Sequence, residues 1–197
     1  CETITVEKIQ DIVEKHLMTD FGLLKKFKVM ENNTWKKILF LDIDGVLASV
    51  DFLCRTAGRT GFIDKEKVAL LNKLKPYGVE VVISSSWGYN EDTVKQLTAC
   101  GLDLPIIGGT EHFHSDWLCR GNEIAKWLAL TFDNYNVFTG KASSYCGKDY
   151  EYVILDDDDD MLMCQKDFFV HVDRYTALTE EDIQKCIDIL TRKNLGN

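Results

Sequence analysis

Lys37–Leu47 reads KILFLDIDGVL. Ile38, Leu39, Phe40 and Leu41 are consecutive apolar residues, the pattern of a strand buried on both faces of a parallel sheet. The run stops at Asp42 and Asp44, and Gly45 permits a sharp backbone turn. Open α/β sheets carry their chemistry at the carboxyl ends of central strands, which is where these two acids fall. Two solvated loop acids are the plain alternative, and the rest of the chain has to decide between the readings.

Downstream, similar strand ends recur. VEVVI, Val79–Ile83, is β-branched and apolar, and it runs into Ser84, Ser85, Ser86 and Trp87. YVIL, Tyr152–Leu155, runs into five aspartates, Asp156–Asp160. Adjacent carboxylates repel one another and raise each other's pKa unless a cation sits among them. An acidic run is usually a solvated face or a tail. This one follows a buried strand and precedes Met161 and Leu162, which is not the setting of a tail. Phe168–Val172 reads as a last strand.

Helical patterns alternate with these strands. Asp64–Lys75 has an N-cap at Asp64, apolar Val68, Leu71 and Leu74, and a stop at Pro76 and Gly78. Glu91–Cys100 follows the serines. Leu104–Ile107 is a short strand candidate. Arg120 opens a helix through Leu130, placing a guanidinium at a helix N-terminus, where anions are favoured. Leu178–Leu190 closes the chain, with Thr179 and Asp182 in a capping-box arrangement. Strand–helix alternation predicts an α/β, Rossmann-like fold: a central, mostly parallel sheet with helices on both faces. Val46–Phe62 reads as an irregular, glycine-rich flap over the first two acids. Its Arg55 and Arg59 are candidates for an anionic substrate, with solvated loop arginines an equal alternative. His112 and His114 have metal-ligand spacing, but no third soft ligand stands nearby, so they read as loop residues.

Composition narrows the class. The 197 residues are 45% hydrophobic, enough for one sizeable core. Residues 1–34 read as a helical extension packed on the core, from apolar spacings at Val6, Ile9, Val13 and Leu17, and 35–197 as the main domain. No window approaches the roughly 18 apolar residues of a membrane span, and no secretory leader pattern is present. Seven scattered cysteines without a CxxC pair suggest free thiols in a reducing compartment, so a cytoplasmic location is expected. A net charge of −9 opposes loose nucleic-acid binding, although much of the acid is gathered at Asp156–Asp160.

Taken together, Asp42-Ile43-Asp44-Gly45, the serine-ended strand in ISSSW, Arg120-Gly121-Asn122-Glu123-Ile124 and the aspartate run resemble the four motifs of the haloacid dehalogenase (HAD) superfamily. ISSSW, RGNEI with its following WL, and YVILDDDDDM look most like the HAD domains of multidomain (Swiss Army Knife) RNA-repair proteins. The resemblance implies a phosphomonoester hydrolase that uses Mg²⁺. Asp42 would be the nucleophile, forming an aspartyl-phosphate, and Asp44 the acid/base. Mg²⁺ would be held by Asp42, Asp44 (through its backbone carbonyl) and Asp156, with Asp157 or Asp160 assisting. Ser84 or Ser85, preferably Ser85, and Arg120 would hold phosphate oxygens, and Trp87 beside them would also bind substrate. The family usually has lysine where Arg120 stands, so Arg120 either substitutes or yields to Lys126 or Lys141. The motif intervals leave no room for a large cap domain, which the family associates with macromolecular substrates such as polynucleotide ends. A small-molecule phosphatase, such as a nucleotidase, and a non-catalytic binding module are the alternatives. Nothing in the sequence speaks to oligomeric state.

Overall fold

The computed structural model describes residues 36–56, 62–112, 118–132, 134–143 and 149–192. The expected N-terminal helical extension lies outside the described residues, as do Arg59 and His114. In chain order the elements begin with β1 (Lys37–Leu41), α1 (Val50–Thr56), α2 (Lys65–Leu71) and β2 (Val79–Ile83). Next come α3 (Glu91–Ala99), β3 (Ile106–Gly109) and α4 (Arg120–Thr131). The short strands β4 (Asn134–Tyr135) and β5 (Ala142–Ser143) lead into β6 (Asp149–Asp156), β7 (Phe169–His171) and α5 (Glu180–Thr191).

Five strands are parallel, in the order β3-β2-β1-β6-β7. β4 and β5 form a hairpin that pairs antiparallel with the first residues of β6, on the edge that β7 joins further along. The apolar run of β1 is buried throughout from Ile38 to Leu41, and its two faces meet two different cores. Leu39 and Leu41 pack with Val68 and Leu71 of α2, Leu97 of α3, and Ile183, Cys186 and Leu190 of α5. Ile38 and Phe40 pack with Ile124 and Leu128 of α4, Phe132, Tyr152 and Ile154. A period-two strand with helices above and below has no polar face to show, hence the continuous apolar sequence.

Element ends follow local chemistry. Asp64 accepts the Glu66 N–H at the start of α2, and Thr179 with Asp182 forms the expected capping box at α5. Pro76 does not stop α2 abruptly; the chain tightens into a 3₁₀ turn over Asn72–Tyr77 and leaves through left-handed Gly78. Asn90 caps α3 by accepting the Thr93 N–H. The flap expectation is corrected in part. Val50–Thr56 is a short helix, because its glycines all come later, and Ser49 caps it by accepting the Phe52 N–H. The hairpin of β4 and β5 has no counterpart in the sequence reading, since two-residue strands leave no periodic signal. Among the described residues the motif intervals hold α1, α2, α3 and β3, with no separate cap.

Leu39 is fully buried at the centre of the sheet. Leu39→Ala is expected to lower unfolding free energy by about 2–5 kcal/mol, read as a lower denaturant midpoint at unchanged slope.

Candidate active site

Register brings the site together. Leu41 is level with Ile83 on β2 and with Leu155 on β6. The next residue on each strand is therefore Asp42, Ser84 and Asp156, side by side. The ladder continues past the strand ends, with Asp42 N–H donating to Leu155 O and Ser84 N–H to Leu41 O. Continuing the pleat puts Asp42 and Asp156 on the α4 side, in line with Phe40 and Ile154. Gly45, at φ +74°, turns the chain away, and its N–H donates to Ala48 O. A β-carbon at Gly45 would run into the Asp157 carboxylate, so the turn needs glycine for both conformation and space.

Asp42, Asp156 and Asp157 each place an oxygen within 4.8 Å of the others. Asp42 is 6% exposed and Asp156 3%. Burial, then the Asp156 charge, pushes the Asp42 carboxyl up to about 8, against the pull of Arg120 and a hydrogen bond from Ser85. Burial likewise pushes Asp156 to about 7, although the Asp158 N–H and Arg120 oppose it. Asp157 is raised by partial burial and drawn back by Arg174. Three hard carboxylates in one group suit a divalent cation such as Mg²⁺, which would relieve the repulsion. They are the candidate metal ligands.

Four of the five aspartates make different contacts. Asp156 ends β6, and its carboxylate accepts the Asp158 N–H. Asp157 and Asp158 pair with Arg174, which the sequence reading did not single out. The Asp160 carboxylate accepts the Arg120 N–H at the start of α4, apart from the three-carboxylate group. Gln165, fully buried, fastens the same junction by accepting from Leu162 N–H and donating to Gly121 O. Gly121 has to be glycine because a β-carbon there would meet Leu162 N and the Gln165 amide oxygen.

Arg120 projects between Asp42 and Asp156. Its Nη2 is 3.9 Å from Asp42 Oδ1, its Nε 3.6 Å from Asp156 Oδ2, and its Nη1 2.6 Å from Glu123 Oε2. Of the three candidates for the basic third motif, Arg120 lines the cavity; Lys126 pairs with Glu111 and Lys141 is exposed. A cavity of about 470 Å³ opens over Asp42, Asp44 and Asp156, with Ser86, His112 and Arg174 also on its wall. Asp44 is exposed, and its Oδ2 accepts the Trp87 indole N–H at 2.9 Å. Trp87 thus holds Asp44 and is not itself among the lining residues. Ser85, buried, bonds to Asp42, while Ser84 faces Thr110 at 3.5 Å. Arg55 lies exposed on α1 with its Nε turned back to Asp51 O, away from the cavity lining.

The raised carboxyls make a testable demand. An acid whose pKa is higher folded than unfolded binds more protons in the native state between the two values, so stability falls as pH rises through that window. With chelator present, unfolding temperature should fall between pH 5 and about 8. Asp42→Asn should flatten that fall, and added Mg²⁺ should raise the unfolding temperature more at pH 8 than at pH 5. Stability that holds level in chelator would contradict the burial argument.

Among the described residues no helix is long and apolar enough to cross a membrane. Comparison with curated proteins and with solved structures returned no match. A family model described as the HAD domain in Swiss Army Knife RNA repair proteins matches residues 38–183, a span that runs from β1 into α5 and takes in every residue of the cavity wall. The chain therefore belongs to the HAD domains of the Swiss Army Knife RNA repair family.

Proposed function

We propose that this domain is a Mg²⁺-dependent phosphomonoester hydrolase that acts on polynucleotide ends. The observation that carries the reading is the buried Asp42 carboxylate, grouped with Asp156 and Asp157 and faced by Arg120. Membership in a HAD family makes phosphatase chemistry the general expectation. Mg²⁺ held by Asp42, Asp156 and Asp157 would keep these carboxylates ionised and offset their repulsion of a phosphate.

Asp42 Oδ attacks phosphorus, and the bond to the leaving oxygen breaks as the acyl-phosphate bond forms. Asp44, at the open side of the cavity, gives its proton to that leaving oxygen. The Asp44 carboxylate then takes a proton from water, whose oxygen attacks phosphorus and releases Asp42 and inorganic phosphate. The Trp87 N–H fixes the Asp44 carboxylate through both steps. Arg120 holds the non-bridging oxygens, where its charge matters most in the transition state. Ser85 orients Asp42 through its hydrogen bond, and Ser86, on the cavity wall, would meet a substrate oxygen.

Two features support a chain end as substrate. The family is one of RNA repair proteins, and the described residues include no cap over the cavity. The acidic wall of Asp44, Asp157, Asp158 and Asp160 disfavours an extended polyanion track and limits recognition to the terminal phosphate. The same wall would admit a mononucleotide, so comparing rates on mononucleotides and on 3′- or 5′-phosphorylated oligonucleotides decides between the two substrates.

With Mg²⁺ the protein should release phosphate from an aryl phosphate and from phosphorylated RNA or DNA ends, and chelator should stop it. Asp42→Asn should abolish turnover while the circular dichroism spectrum stays native. Trp87→Phe should lower kcat by about tenfold through loss of one bond to an ionised group. Failure to release phosphate from every such substrate would remove the enzymatic reading.

A further inference from the structure

Glu123 is a carboxylate on α4 that is only 3% exposed, one turn after Arg120. A charge buried to that degree needs partners. Among the described residues Arg120 Nη1 lies 2.6 Å from Glu123 Oε2, and His112 Nδ1 lies 3.0 Å from its Oε1. His112 belongs to the chain that follows β3 and lies on the cavity wall. We infer that Glu123 is the positioning residue of the phosphate-binding arginine, holding the Arg120 guanidinium at the angle a phosphate monoester needs, with His112 fastening the carboxylate from the other side. The inference rests on the phosphatase reading above and adds a residue to it.

The distances separate the holder from the held. Among the described residues, Glu123 is the carboxylate that the Arg120 guanidinium meets within hydrogen-bond range. At 3.9 Å and 3.6 Å, Nη2 and Nε stand off from Asp42 and Asp156 without bonding them. The planar fork is therefore anchored at one nitrogen and presents the other two beside the proposed nucleophile, where phosphate oxygens would arrive. A lysine has a single nitrogen and cannot be anchored and binding through separate atoms. Glu123 thus supplies a reason for arginine at this position. Without Glu123 the guanidinium would close onto Asp42 and Asp156, and those carboxylates would compete with the phosphate for it.

The test compares wild type, E123Q, R120K and the double variant, with two readouts. One is kcat/KM on an aryl phosphate with Mg²⁺. The other is the rise in unfolding temperature on adding orthophosphate to the Mg²⁺-loaded protein. Loss of a hydrogen bond between charged groups predicts that E123Q lowers kcat/KM by about ten- to hundredfold. It should also shrink the orthophosphate shift while leaving the shift produced by Mg²⁺ alone in place. In the R120K background the E123Q penalty should shrink or reverse, because the anchored fork is already gone. Should E123Q fold poorly, H112Q loosens the same carboxylate from a half-exposed ring and should lower kcat/KM by about two- to fivefold. An E123Q protein with unchanged kcat/KM and orthophosphate shift, or an equal E123Q penalty with and without R120K, overturns the inference while leaving the phosphatase reading intact. An inactive wild type that still binds orthophosphate removes the phosphatase reading and leaves the second readout to judge Glu123. A wild type that neither hydrolyses nor binds phosphate overturns both.

Discussion

Carboxylate crowding at the end of a parallel sheet is the constraint on which this domain turns. Parallel pairing aligns strand ends, and strands about 4.8 Å apart bring whatever residue follows the last apolar pair into contact. Here those residues include Asp42 and Asp156, and Asp157 joins them from the next position. Like charges in a site closed to solvent either take up protons or require positive charge. Burial above all, with the neighbouring carboxylates adding to it, holds Asp42 and Asp156 well above the ordinary carboxylate range.

The surrounding residues read as responses to that charge. Arg120 enters from α4 between the two strand-end acids, Arg174 closes on Asp157 and Asp158, and Ser85 bonds Asp42 from beneath. Each of these brings a donor or a positive charge to a carboxylate. The placement of Arg120 depends in turn on the groups that fix the start of α4. Gln165 fastens the start of α4 to the loop after the aspartates, and the small size of Gly121 lets the two segments touch. Asp160, at the cavity's edge, accepts the first helical N–H. Four members of a run that looks redundant are thus divided among strand end, three-carboxylate group, arginine partner and helix start.

Residues with strong local signals were legible before any fold was known. The apolar runs of β1, β2 and β6 announce strands buried on both faces, and the Thr179–Asp182 box announces α5. Asp42, Asp44, Ser85, Arg120 and Asp156 stand at the ends of such elements, and so could be picked out. Arg174, Gln165 and the Glu123–His112 pair carried no comparable signal. Arg174 sits in an ordinary turn, Gln165 in a 3₁₀ segment, and His112 on a chain that looked like loop. Their importance comes from partners between 11 and 44 residues away in sequence. Trp87 was singled out as a substrate neighbour, yet its indole N–H goes to Asp44, a distinction that spacing along the chain cannot make.

The sequence by itself determined the fold class, the order of the motifs and the acids that end the strands, because buried strands and helix caps are written in local patterns of polarity. Only the tertiary structure decided which acids lie together. It grouped Asp42, Asp156 and Asp157 apart from Asp160, put Arg120 on the cavity wall while Lys126 pairs with Glu111, and left Arg55 bonded to its own helix. The physical reason is register. One parallel alignment of β1 with β6, and one docking of α4 on the face that carries Phe40 and Ile154, convert separate positions in the chain into a single charged site.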